Sequence, residues 1–296
     1  MSDVAKIPIA QLVEAWVRDT TGWFRYIDIW KNLNVESREA KANIRQILKR
    51  LCDQGVVKRQ PGEDGRFQLV KGILDRVKWR EADPNNIVPV IWPFGLEEYV
   101  ALYPKSVVVI GGDKSAGKTA FCLEFIRLNQ HRPELAKWLP IQYFTSELGD
   151  EEMSKRLSLF EGVTWDIDTY RRVRDFDDVI APDKINIIDY MAIHDQFWLV
   201  ADWIDAIWER SNTGITIIVL QKGATSPNSQ FPKTGWARGG DFSAEKARLY
   251  VTLSNKPDGH ELLIKDGKNW AGEENPTGKC WHYKLIKGTK FVEVRE

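Results

Sequence analysis

VVVIGGDKSAGKTAF, Val107–Phe121, takes an apolar run into a glycine-rich turn and then, through a Lys-Thr pair, into a helical pattern. Gly112, Asp113, Lys114, Ser115, Ala116, Gly117, Lys118 and Thr119 meet the spacing G-x-x-x-x-G-K-[ST] at every fixed position, and Ala120 continues it. Each residue type has a physical task there. Glycines let the chain curl so that successive N–H groups point inward at phosphate oxygens. The helix that follows presents unpaired N–H donors and the positive end of its dipole. Lys118 is expected to reach the β- and γ-phosphates, and the Thr119 hydroxyl to ligate Mg²⁺. The strand before and the helix after are the context this motif requires. The ligand implied is ATP with Mg²⁺.

Hydrolysis needs two further groups, one for the metal and one for the attacking water. INIIDY places Asp189 at the end of an apolar run, where it is expected to hold Mg²⁺ through water. IQYFTSE places Glu147 at the end of another, where it is expected to polarise water. The alternatives are a solvated strand-end aspartate and a helix-capping or surface glutamate. The remaining runs support a common sheet. SVVVIGG, PIQYFTSE, KINIIDY and GITIIVLQKG alternate with helical segments at 119–129, 150–160 and 198–211. Strands separated by helices imply βαβ crossovers and a parallel sheet. LYVTLSN, ELLIKD and HYKLIKG follow without helices, so the sheet is expected to end in antiparallel hairpins. Strand C-termini meet at one edge of such a sheet, which allows the loop, Asp189 and Glu147 to converge.

The first seventy residues have a different pattern. Apolar residues Leu12, Val13, Trp16 and Val17 are helically spaced, Tyr26–Leu33 is a short second helix, and Ser37 is an N-cap for a third. That third helix carries Ile44, Ile47, Leu48 and Leu51 on one face. The stretch from Val56 to Val70 alternates, turns at Pro61-Gly62 and Asp64-Gly65, and alternates again, as a β-hairpin does. Three helices and a hairpin resemble a winged helix-turn-helix domain. The organisation expected is therefore a winged domain over 1–72, a proline-rich connector over 73–104 and an α/β domain over 105–296. The 296 residues balance 42 basic against 42 acidic side chains, but unevenly. Met1–Arg80 holds 16 basic and 10 acidic residues, a net +6 that leaves −6 on the remainder. A basic head points to an anionic partner. Arg38, Lys41, Arg45 and Lys49 fall largely on one face of the third helix, and Lys58, Arg59 and Arg66 flank the wing, the geometry for a helix in the major groove and a wing on the backbone. A protein-contact surface is the alternative.

A second candidate for nucleic acid is GATSPNSQFPKTGWARGGD, 223–241, where Phe231 and Trp236 stand beside Lys233 and Arg238. Aromatics interleaved with cations suit single strands, through stacking and phosphate contact. The alternative is a loop ordered only by subunit contacts. His194 follows the Asp189 strand and is either a relay of nucleotide state or an ordinary loop histidine. Trp198, Trp203 and Trp208 are expected to serve packing. The three cysteines, Cys52, Cys122 and Cys280, are scattered, show no zinc-type spacing, and are expected to be free thiols of a reducing compartment. No stretch approaches a membrane span of about 18 apolar residues, and a cytoplasmic protein is expected.

From about Phe94 to Glu296 the chain resembles the RecA/DnaB-type ATPase core. Besides the phosphate loop, FTSELGDEEMSKRL is similar to the family's strand ending in a catalytic glutamate with its following helix. INIIDYMAI is similar to its metal-site strand. ITIIVLQKG, a flexible stretch and GGDFSAEKARLYVTL are similar to its sensor glutamine, DNA-facing loop and next strand. The resemblance implies Lys118, Thr119, Glu147, Asp189 and Gln221 as ATP machinery. It also implies ATP bound between subunits of a homo-oligomeric ring or filament. Lys265 and Lys268, in LLIKDGKNW, stand where it implies a finger acting on the neighbouring subunit. The expected function is a DNA-stimulated ATPase of replication or recombination, of helicase, recombinase or annealing type, in a setting such as a phage or other mobile element. The rival is a nucleotide-gated regulator that binds a duplex site and turns over little ATP.

Overall fold

The computed structural model describes residues 8–20, 22–61, 64–70, 77–192, 199–222 and 235–296. Two compact units divide at Ala82/Asp83.

The first unit comprises α1 (Ile9–Asp19), β1 (Trp23–Arg25), α2 (Tyr26–Asn32), α3 (Arg38–Asp53), β2 (Val57–Arg59) and β3 (Arg66–Leu69). The Ser37 hydroxyl caps α3 by accepting from the Ala40 N–H at 3.1 Å. The three strands are antiparallel in the order β1-β3-β2, with Phe24 opposite Phe67. Val13 and Val17 of α1, Ile29 of α2, and Ile44, Ile47, Leu48 and Leu51 of α3 close over that pair. Burial of each such side chain contributes about 1.5–3 kcal/mol. The helices and hairpin agree with the sequence pattern. The short strand β1, which closes the sheet, carried no signal at three residues.

The second unit contains β4 (Val107–Gly112), α4 (Lys118–Asn129), β5 (Ile141–Thr145), α5 (Asp150–Ser158), β6 (Ile167–Arg171), β7 (Ile185–Asp189), α6 (Val200–Arg210), β8 (Ile215–Gln221), β9 (Ala247–Lys256), β10 (Gly259–Gly267), β11 (Cys280–Ile286) and β12 (Lys290–Arg295). They form one sheet, ordered β12-β11-β10-β9-β4-β8-β7-β5-β6. The β9 to β6 side is parallel, and β9 to β12 is antiparallel. Every residue of β4 is buried. Val108 and Ile110 face a core shared with α4, while Val107 and Val109 face one shared with α6. A strand covered on both faces has no polar side, which is why it reads as VVVI. On α6, Trp208 packs against that second core as expected, whereas Trp203 is exposed.

Two features depart from the expected layout. The segment read as a connector enters the core from Val88 onward: Val88, Val90, Trp92, Leu96, Val100 and Leu102 are buried against α4 and the β9–β11 strands. Pro89, Pro93 and Pro104 interrupt regular structure there and none of them is exposed, whereas residues 77–87, Pro84 included, are exposed. In addition, β6 and β12 lie at the sheet's two edges and expose most of their residues, so neither showed an apolar rhythm.

Candidate nucleotide-binding site

The C-terminal ends of the central parallel strands align. Gly112 of β4 is in register with Gln221 of β8, and Thr145 of β5 with Asp189 of β7. The phosphate loop leaves β4 with Ser115 at φ 62° and Gly117 at φ 91°. Gly117 is confined twice. A Cβ there would adopt a disfavoured φ and would sit 3.3 Å from Leu285 Cδ2 and 3.4 Å from Phe291 Cε1. The loop is held from outside by four contacts. Asp113 N–H donates to the Leu253 carbonyl at 2.9 Å, Asn255 N–H donates to Asp113 Oδ2 at 2.9 Å, and the Tyr283 hydroxyl donates to the Ala116 carbonyl at 2.7 Å. Asn255 Nδ2 also donates to the Lys114 carbonyl at 3.0 Å. Ala120, one turn into α4, is buried.

Lys118 Nζ donates to the Gly112 carbonyl at 3.1 Å and the Asp113 carbonyl at 2.7 Å. Burial pushes its pKa down, while Asp189, Asp113 and Glu147 pull it back up. Asp189 is buried, and that burial raises its carboxyl above the usual range. Hydrogen bonds from Tyr143 and Thr119, together with the Lys118 charge, oppose the rise. Glu147 is exposed just beyond β5 and lies close enough to influence both Lys118 and Asp189. Tyr190 donates its hydroxyl to Glu147, and its own pKa is raised by burial and by that carboxylate. Ser146 ties the two strand ends together: its Oγ donates to the Tyr190 carbonyl at 2.9 Å and its N–H to the Asp189 carbonyl at 3.2 Å. Lys118, Thr119, Asp189 and Glu147 are thus one cluster. Its donors are a buried carboxylate and a hydroxyl, hard oxygen ligands that fit Mg²⁺.

The sequence matches no protein-family model, and no curated protein matches it. Its structure is similar to that of a KaiC-like protein from the hyperthermophilic archaeon Pyrococcus horikoshii OT3. The TM-score is 0.50 at 16% identity, over 70% of this chain and 100% of that one. It is also similar to a second solved structure, described as an ATPase domain, with a TM-score of 0.50 at 15% identity, over 72% of this chain and 94% of that one. The fold is RecA-like. The α/β sheet flanked by helices agrees with the architecture expected for the larger part of the chain.

Sequence reasoning missed the residues that position this cluster. Tyr143, Tyr190 and Tyr283 lie in the quoted strand runs without an assigned role, and that role becomes visible only through their hydrogen bonds. Arg171, Arg172 and Arg174 were likewise unassigned. They line a cleft of about 540 Å³ with Thr145 through Gly149, beside Glu147.

Gln221 ends β8 half-buried, and its carbonyl accepts from Arg238 N–H at 3.0 Å. The Arg238 charge lowers the pKa of Tyr190, so it lies near the Glu147 partner. Trp236 is partly buried, edge-on to Tyr250 at 4.8 Å, with Lys265 Nζ 5.0 Å from its ring centre. Lys268 Nζ donates to the Ala244 and Glu245 carbonyls. Phe231, Lys233, His194 and Trp198 lie outside the described residues.

In the first unit Arg38, Arg45 and Lys49 are exposed on α3, and Lys41 is half-buried there. At 100° per residue the four span an arc of about 80°. Lys41 and Arg45 lie over Trp30 at 5.4 and 5.2 Å, and Arg45 over Tyr26 at 5.5 Å. Lys58 and Arg66 lie over Trp23 at 5.6 and 5.9 Å, and Arg59 over Phe67 at 5.7 Å. These aromatic supports, Trp23 above all, were not anticipated.

Proposed function

We propose that this chain is a Mg²⁺-dependent ATPase whose turnover is coupled to DNA. The observation that carries the reading is the convergence of Lys118, Thr119, Asp189 and Glu147 at the ends of β4, β5 and β7. The Gly112–Ala120 backbone receives the phosphates, with Lys118 turning from the loop carbonyls to the phosphate charge. Thr119 and Asp189 hold the Mg²⁺, which supplies charge neutralisation at the phosphates. Glu147 orients and polarises water, and Tyr190 keeps its carboxylate in place. Gln221 senses the phosphate end of the nucleotide. Because Arg238 is tied to Gln221 through its backbone and to Tyr190 through its charge, the 223–241 stretch has a route to Glu147.

The first unit is a winged helix-turn-helix that binds duplex DNA, with α3 in the major groove and the β2–β3 hairpin on the backbone. Its cations are pre-positioned by cation–π contacts worth about 0.5–1 kcal/mol each at exposed sites, which reduces the ordering cost of meeting phosphate. Single-stranded DNA binds along 223–241 through Phe231, Lys233, Trp236 and Arg238. Oligomerisation as a ring or filament follows the same reading, with Lys265 the better placed of the two finger candidates, since Lys268 already bonds carbonyls of its own chain.

ATP turnover of the full chain, measured with and without a single-stranded oligonucleotide, tests this. Strong stimulation is expected. Negligible turnover together with tight, sequence-specific duplex binding would instead make the protein a nucleotide-gated regulator.

A further inference from the structure

We propose that Glu261, Cys280 and His282 form a site for a borderline-soft divalent metal such as Zn²⁺ on the β10–β11 hairpin. Their ligand atoms all lie within 4.8 Å of one another. Zn–S and Zn–N bonds of about 2.3 and 2.0 Å place tetrahedral ligands roughly 3.3–3.5 Å apart, so a rotamer adjustment of about an ångström closes the set. The ladder supplies the arrangement. Glu261 is directly opposite His282, and Cys280 lies two residues before His282 on the same strand face, opposite Leu263. Leu262, Trp281 and Tyr283 alternate with them and fill the core on the other side. The rigid backbone therefore gathers one sulfur, one nitrogen and one oxygen ligand without a loop. Cys280 is a free thiol and partly exposed, so it is accessible to metal.

Chemistry separates this site from the one at Thr119 and Asp189. Mg²⁺ and Ca²⁺ take oxygen ligands, whereas thiolate and imidazole select Zn²⁺ and its transition-metal neighbours. Binding releases the thiol proton to solvent, and Zn²⁺ with one thiolate and one carboxylate is neutral overall. That neutrality suits the surroundings, where Glu261 pairs with Lys256 at 3.0 Å and also influences Lys222. Lys256 is exposed enough to swing into water when the metal takes the carboxylate. Three protein ligands leave a fourth position for water. The sequence showed no zinc spacing because Cys280 and His282 provide only two ligands, and the third comes from the neighbouring strand.

The site has a structural neighbour of consequence. Tyr283, next after His282, holds the Ala116 carbonyl of the phosphate loop. His260, next before Glu261, stacks on Tyr283 with ring centres 5.3 Å apart. A metal across β10 and β11 fixes the two strands that brace the loop.

The test uses the full chain, stripped of metal with a chelator and titrated with Co²⁺ as a spectroscopic stand-in. Expected are a thiolate-to-cobalt charge-transfer band and intense tetrahedral d–d bands, saturating at one equivalent and abolished by Zn²⁺. Cys280→Ser should lose the charge-transfer band, while Cys52→Ser keeps it. Glu261→Gln and His282→Ala should each weaken binding about tenfold or more, the loss already seen when only outer partners of a metal are removed. Zn²⁺ should raise the melting temperature of the wild type but not of Cys280→Ser. Circular dichroism of the metal-free variants controls for folding. No charge-transfer band in the wild type, a band that survives Cys280→Ser, or metal lost on gel filtration would overturn the proposal.

Discussion

The Tyr143 hydroxyl donates a 2.5 Å hydrogen bond to Asp189 Oδ2, joining β5 and β7 through two buried side chains. The tyrosine lowers the aspartate's pKa while burial raises it. Tyr143→Phe should therefore push the Asp189 carboxyl further up. If Asp189 holds Mg²⁺ as proposed, the metal competes with the proton for that carboxylate, and turnover should fall as pH drops through the raised pKa. The variant's acid limb should lie at higher pH than the wild type's. A carboxyl with a raised folded-state pKa loses stability as pH rises through it. The variant should accordingly lose more stability at neutral than at acidic pH, with a total cost of about 1–3 kcal/mol for the missing bond. Superimposable pH–rate profiles would disprove the coupling.

Lys118→Ala should reduce ATP turnover to background while leaving the fold intact. Its ammonium donates to two loop carbonyls, a local contact rather than part of the core. Nucleotide binding by fluorescence and thermal melting check the two halves of this expectation. Near-normal turnover would remove Lys118 from the site.

Glu147→Gln should retain ATP and lose turnover by about 10²-fold or more, since the amide keeps the size of the side chain but cannot act as a base. Tyr190→Phe should have a smaller effect in the same direction, on kcat more than on KM, because it only frees the Glu147 carboxylate from its donor. Single-turnover kinetics separate the two. Equal losses in both variants would mean that Tyr190 touches the reacting groups itself.

Gly117→Ala should be destabilising by about 1–3 kcal/mol, from a left-handed φ and two tight apolar contacts. The same change should abolish nucleotide-induced stabilisation. Chemical denaturation with and without Mg-ATP tests both.

Trp236→Ala should weaken single-stranded DNA binding by roughly tenfold to a hundredfold if the indole stacks on a base, an interaction worth about 1–3 kcal/mol. Because the ring also packs on Tyr250, the variant should melt earlier than the wild type. Lys233→Ala should instead flatten the salt dependence by about one phosphate contact. Affinity titrations at several salt concentrations distinguish the outcomes. Lower stability with unchanged affinity would return Trp236 to the core.

The sequence by itself determined the phosphate loop, the central strands and the helices between them, because each rests on local rules. A chain that curls around phosphate needs glycine and lysine at set intervals, and a strand covered on both faces must be apolar throughout. The same locality placed Asp189 at the end of one such strand and Glu147 just beyond another. Only the tertiary structure decided what lies between sequence-distant partners. Edge strands β6 and β12 carry no pattern because solvent tolerates any residue there. Tyr143 and Tyr283 carry no motif because their hydroxyls find acceptors 46 and 167 residues away, and Tyr190 reaches Glu147 only across two strand ends. Cys280 and His282 gain Glu261 only when β10 and β11 pair. Lys268 turned inward to its own chain's carbonyls and Trp236 onto Tyr250 because packing satisfies a donor or an apolar ring wherever it can. No one-dimensional pattern records which neighbour the fold will bring.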